Sequence, residues 1–112
     1  MQPFAASDST NLAPEALEAR ADEVSRLLAL MANPKRLLIL CKLLEGDMTV
    51  GTLAATVGLG QSALSQHLAK LRAADIVSTR RQAQSITYSL ASDEVRVLMA
   101  TLYDLFCVDR SV

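Results

Sequence analysis

The run from Asn33 to Gly46, NPKRLLILCKLLEG, constrains this chain more than any other segment. Asparagine followed by proline marks a helix start. The asparagine side chain caps open backbone N–H groups, and proline's missing N–H costs nothing at the first helical position. Leu37, Leu38, Ile39, Leu40, Leu43 and Leu44 then cover most of the helix surface. A helix apolar on nearly all sides belongs at the buried centre of a domain, so the other elements must pack around it. Gly46 is expected to end it in the left-handed conformation.

The flanking segments supply those elements. Residues 1–13 have no usable period and read as a flexible tail, leaving 14–112 as one domain. Pro14 opens an amphipathic helix expected over 14–31, with Leu17, Val24, Leu27, Leu28 and Met31 at helical spacing. Thr49 caps a third helix carrying Val50, Leu53, Ala54 and Val57. Gly58-Leu59-Gly60 breaks it, and a fourth helix follows from about Gln61 to Ala74, with Leu64, Leu68 and Leu71 facing in. Asp75, a residue that tolerates left-handed backbone, lets the chain leave. Residues 76–79 and 85–90 read as two strands, with Ile86, Tyr88 and Leu90 on one face and a polar turn at 80–84. Ser92-Asp93-Glu94 caps a last helix whose stripe is Val95, Leu98, Met99, Leu102, Leu105 and Phe106. The fold class is mainly α, about five helices with a two-stranded hairpin. The stripes of the first and last helices need a partner, and a second copy of the chain, giving a homodimer, is the simplest.

Composition agrees with a helical core. The chain is 51% hydrophobic but only 4% aromatic, with no Trp, so Leu, Ala and Val must fill the interior. Two cysteines make no disulfide framework. No cationic stretch leads into an apolar one, and no apolar run is long enough to span a bilayer, so the expected location is the reducing cytoplasm, at the nucleoid. An enzyme is not expected. There is no His beside a Ser or Cys in a workable dyad, no Gly-rich phosphate loop and no carboxylate pair in an apolar setting, and no cofactor is implied.

Residues 50–69 fit a helix-turn-helix. Ala54 is small where two helices cross, Gly58 permits the turn and Leu64 plugs the core. The second helix turns Gln61, Ser62, Ser65, Gln66 and Lys70 outward at or near its N-terminal end, with His67 in the same helix. These are groups suited to base edges and phosphates in a major groove. Charge supports this locally. The formal net charge is −1, yet residues 61–90 carry Lys70, Arg72, Arg80 and Arg81 against Asp75 alone. Arg80 and Arg81, with Gln84 beside them in the hairpin, can reach phosphate or the minor groove. Taken singly, each feature is also what a solvated helix and a soluble hairpin look like. It is the combination on an Ala54–Gly58–Leu64 frame that points to DNA.

The string from Gln61 to Val77, QSALSQHLAKLRAADIV, together with Tyr88-Ser89-Leu90 closing the second strand, resembles the ArsR/SmtB family of winged helix-turn-helix repressors over about residues 22–107. The resemblance implies a homodimer joined through its first and last helices, bound to an inverted-repeat operator and released by an inducer. Where metal-sensing relatives carry Cys-Val-Cys, this chain has Thr49-Val50-Gly51, and residues 92–107 contain no His. A metal site is therefore not expected.

Cys41 lies in the second helix and Cys107 at the end of the last. By composition alone both read as small core hydrophobes. Their positions are similar to those of the two cysteines in the persulfide-sensing subgroup of the family, the biofilm growth-associated repressor type. That similarity implies a redox sensor in which reactive sulfur species bridge Cys41 and Cys107 and weaken DNA binding. Cys41, in an apolar setting, should have a raised pKa and be the slower thiol; at Cys107, Arg110 favours a thiolate and the C-terminal end of the helix dipole opposes it. Two other readings stay open: a family member answering a metal or another oxidant, and a winged-helix protein-interaction module without DNA binding.

Overall fold

The computed structural model describes residues 14–107. The expected tail at 1–13 and Arg110 lie outside the described residues. The elements in order are α1 (Pro14–Ala19), α2 (Ala21–Met31), α3 (Pro34–Glu45), β1 (Met48–Thr49), α4 (Val50–Val57), α5 (Gln61–Ala73), β2 (Val77–Gln82), β3 (Ser85–Leu90) and α6 (Asp93–Phe106).

Helix α3 is the hub, touching α2, α4, α6 and β3. It starts as its sequence dictates: the Asn33 side chain accepts from the backbone N–H groups of Lys35 (2.9 Å) and Arg36 (3.1 Å), with Pro34 behind it. Ile39, Leu40 and Leu43 are buried, and around them close Leu53, Leu64, Leu68, Leu71, Ile76, Val77, Val95 and Met99. The burial is not all round, however. Leu37, Leu38 and Leu44 are only half-buried, and Cys41 between them is exposed; on the side of Leu37, Cys41 and Leu44 an open cavity separates α3 from α6.

Several expectations need correction. The helix expected over 14–31 is broken at Arg20, so there are six helices among the described residues. The Arg20 N–H bonds back three residues to Leu17 (3.0 Å), and its guanidinium clasps the Glu23 carboxylate (2.8 and 2.9 Å). Helix α1 buries no residue, and Leu17 is 63% exposed, so no packing holds α1 in line with α2. Gly46 is extended (φ 165°, ψ 164°) rather than left-handed, because the chain runs straight on towards a strand. That strand, β1, has only two residues, too few to show a period. It makes the hairpin a three-stranded antiparallel sheet of order β1-β3-β2, pairing Met48 with Tyr88 and Thr49 with Thr87.

Residues 80–84 do not form the turn either. The β2–β3 ladder continues to Gln82↔Ser85, leaving a two-residue turn at Ala83-Gln84 with Ala83 at φ 55°. The outer half of this ribbon projects beyond the helices, so the apolar alternation fades there. Ile86 is 41% exposed, whereas Thr87 and Leu90 are buried. The remaining junctions follow their residue types. Gly58 (φ 71°) and Asp75 (φ 59°) are left-handed, and Thr49 and Ser92 cap α4 and α6 through Thr52 and Val95.

Leu64 carries the helix-turn-helix into the core at zero exposure. Leu64→Ala should lower unfolding free energy by about 2–5 kcal/mol in urea titration. A loss below about 1 kcal/mol would mean that the site is not the packed centre described.

Candidate DNA-binding surface and thiol pair

The turn between α4 and α5 is set by Gly58 and Ala54. The Gly58 and Leu59 N–H groups both bond the Ala54 carbonyl (3.0 and 3.2 Å), which only a left-handed residue at 58 allows without strain. Burying Leu64, Leu68 and Leu71 fixes the rotation of α5. Gln61, Ser62, Ser65, Gln66 and Lys70 are consequently exposed, and none of these side chains is hydrogen-bonded to the described residues. Their donors and acceptors are open to an outside partner. The N-cap Gly60 has no side chain to cap the first N–H groups of α5.

His67 is placed differently. It is half-buried on the flank of α5 towards α3, where its Nδ1 lies 3.3 Å from the Arg36 guanidinium. Arg36 Nε also donates to the Leu30 carbonyl, so one side chain links α2, α3 and α5. Burial, then the Arg36 and Lys70 charges, push the His67 pKa below its ordinary value of 6.5. A second link joins the start of α3 to the end of α4: Lys35 Nζ donates to the Val57 carbonyl (3.0 Å).

The two hairpin arginines also part ways. They are neighbours in β2 and point to opposite faces. Arg80 donates to Asp47 (2.9 Å) and to Ser89 Oγ (3.3 Å); the Arg80 bond first, then one from Ser89 to Asp47, holds the Asp47 carboxyl below the usual range. Arg81 is exposed without an ion pair among the described residues, and Gln84 sits exposed at the tip. The structure thus brings Gln61, Ser62, Ser65, Gln66 and Lys70 to one helical face and Arg81 and Gln84 to the wing tip. It holds Arg80 against Asp47 and turns His67 inward. Sequence reasoning missed Asp47 as the partner of Arg80, because the contact depends on the unforeseen strand β1.

Both cysteines are exposed free thiols rather than core residues. They line one cavity of about 740 Å³ between α3 and α6, walled by Leu37, Leu44, Glu45, Met99, Leu102, Tyr103 and Phe106. Cys107 is the C-cap of α6, its N–H bonded to the Tyr103 carbonyl (2.8 Å). Burial against the cavity wall pushes the Cys41 thiol up, as expected, and the neighbouring Cys107 adds to the shift. Among the described residues no group of three or more His, Cys, Asp or Glu is placed to hold a metal, and no helix is long and apolar enough to cross a membrane.

A capped helix-turn-helix followed by a β-ribbon is a winged-helix architecture, the fold of many DNA-binding transcriptional regulators. Residues 33–79 match the family described as "Bacterial regulatory protein, arsR family". The nodulation protein NolR of Rhizobium meliloti is 56% identical over 86 residues, 77% of this chain and 70% of that one. The biofilm growth-associated repressor of Agrobacterium fabrum is 47% identical over 92 residues, 82% and 79% of the two chains. The crystal structure of the transcriptional repressor BigR from Xylella fastidiosa superposes with a TM-score of 0.81 at 41% identity, covering 88% of this chain and all (100%) of that one. The chain belongs to the ArsR family of bacterial transcriptional regulators.

Two outcomes follow from the electrostatics. Asp47→Asn frees Arg80 and should tighten binding to random duplex DNA about two- to fivefold at low salt, with a steeper salt slope. Unchanged affinity in a fluorescence titration would show that Arg80 does not reach DNA. For His67 the folded pKa lies below the unfolded one, so the unfolded chain binds more protons between them. The stability this gives is complete above about pH 6.5 and is lost as pH falls through the folded value. His67→Gln should flatten urea-derived stability across that window; a profile identical to the parent would remove the histidine from the coupling.

Proposed function

We propose that this chain is a homodimeric repressor of the cytoplasm and nucleoid. It holds an inverted-repeat operator and lets go when reactive sulfur species link Cys41 to Cys107. One observation carries the reading: two free thiols, from the central helix and from the last helix, share one cavity. Dimer formation is supported by the apolar residues left uncovered on the outer helices, with Leu17, Leu28, Val97, Tyr103, Leu105 and Phe106 exposed, the last at 79%. The resemblance of Cys41 and Cys107 in position to the persulfide-sensing thiols supports the choice of inducer.

The chemistry balances with a polysulfide as oxidant. The Cys107 thiolate attacks a terminal sulfur pair, an S–S bond breaks and a shorter polysulfide leaves. Cys41 then attacks the attached sulfur chain and expels sulfide, leaving the two cysteines joined through sulfur. Cys107 acts first because burial keeps more of Cys41 as the thiol. The link ties α3 to α6. With half-sites about 34–36 Å apart, little change in the spacing of the two α5 helices is tolerated.

The test treats reduced protein with inorganic polysulfide. Intact mass and binding to a duplex selected by the reduced protein are followed on one sample. Whole sulfur atoms added between Cys41 and Cys107 with lost binding is the expected result; unchanged mass with unchanged binding contradicts it. Cys41→Ser and Cys107→Ser should each bind DNA as the parent does and lose the response completely. A single-cysteine variant that still responds would place the sensor elsewhere.

A further inference from the structure

The cavity that Cys41 and Cys107 share is far larger than a sulfur bridge needs. At about 740 Å³ it falls within the range of about 300–1,000 Å³ typical of small-molecule pockets. Its wall is built from leucines of both helices, Met99, two aromatic side chains and a single charged residue, Glu45. Met99 is buried and Leu37, Leu44 and Leu102 are half-buried, so part of that wall lies well below the surface. No cation lines the cavity among the described residues. Lys42, next to Cys41 in the chain, pairs with Glu45 (3.7 Å).

We propose that this cavity selects uncharged organic polysulfides, R–S–S–S–R with small apolar R groups, over anionic sulfur donors. The inference deepens the sulfur-sensing reading of the two thiols and rests on it. An anion entering these walls gives up hydration and meets only a carboxylate in return. An apolar R group gains by leaving water, about two- to fourfold in affinity for each methylene that becomes buried. The exchange balances without a further oxidant. The Cys107 thiolate attacks the central sulfur, one S–S bond of the trisulfide breaks, and RS⁻ leaves. Cys41, as thiolate, attacks the same sulfur, the other S–S bond breaks, and a second RS⁻ leaves. Two new S–S bonds then join the cysteines through one sulfur atom. The cysteine sulfurs are oxidised, the two outer sulfurs of the trisulfide are reduced, and the thiol protons end on the two RSH products.

The experiment follows the intact mass of reduced protein after adding dipropyl trisulfide or bis(2-carboxyethyl) trisulfide, two probes of matched length that differ in charge. Each rate is divided by the rate of the same probe with N-acetylcysteine, which removes intrinsic reactivity. The normalised rate should favour the dipropyl probe by about tenfold or more, and it should rise from dimethyl through diethyl to dipropyl trisulfide. Glu45→Gln, at the exposed end of α3, should speed the carboxylate-bearing probe about two- to fivefold and leave the dipropyl probe unchanged. The proposal is overturned by equal normalised rates for the two probes, by no gain with chain length, or by Glu45→Gln speeding both probes alike. If neither trisulfide nor inorganic polysulfide links Cys41 to Cys107, the sulfur-sensing reading itself falls.

Discussion

Everything in this domain hangs on the anchoring of α3. Its N-terminus is fixed by Asn33 and its buried face by Ile39, Leu40 and Leu43. Its first turn then reaches out through Lys35 to the end of α4 and through Arg36 to His67 on α5. The helix-turn-helix is therefore attached at two points to the helix that carries Cys41. On its less buried face, α3 meets α6 across the thiol cavity. One element carries Cys41 and reaches both α5 and the helix that ends in Cys107. Under the proposed function, a chemical change at Cys41 acts on the body that positions α5.

Charge is distributed with the same economy. The chain is close to neutral as a whole, so no global field draws it to nucleic acid. The cations of the winged helix divide into two kinds. Arg80 is held by Asp47, and Lys70, Arg72 and Arg81 carry no ion pair among the described residues. Weak steering at long range combined with a few free cations at contact distance favours a complex decided by fit. The register of α5 in its groove then matters more than overall attraction.

Much of this could be read from residues alone. The cap at Asn33, the Ala54–Gly58–Leu64 frame, the left-handed Asp75 and the inward Leu64, Leu68 and Leu71 all follow from local chemistry, and the structure has them so. The outward set on α5 follows from the same periodicity. What escaped has physical causes. The break at Arg20 precedes a pair of bonds, Arg20 to Glu23, and leaves α1 with no buried residue, neither of which a period reveals. Strand β1 has two residues, and its pairing with β3 is a long-range contact. Missing it hid the Asp47–Arg80 pair and shortened the wing strands. The inward turn of His67 depends on Arg36, thirty-one positions away in sequence. Adjacent outward residues on a helix can be told apart only once their neighbours from other elements are known.

The central claim is that linking Cys41 to Cys107 moves the two reading helices of a dimer relative to one another. The direct measurement is a spin-label distance between the two copies of α5. The labels are attached through a ketone-bearing residue introduced at Gln61, so that both cysteines stay free for polysulfide. The reduced dimer should give one narrow distance distribution, compatible with half-sites about 34–36 Å apart. The crosslinked dimer should give a shifted or broadened one. Identical distributions before and after crosslinking would contradict the account, because the sulfur link would then leave unmoved the helices it is held to control.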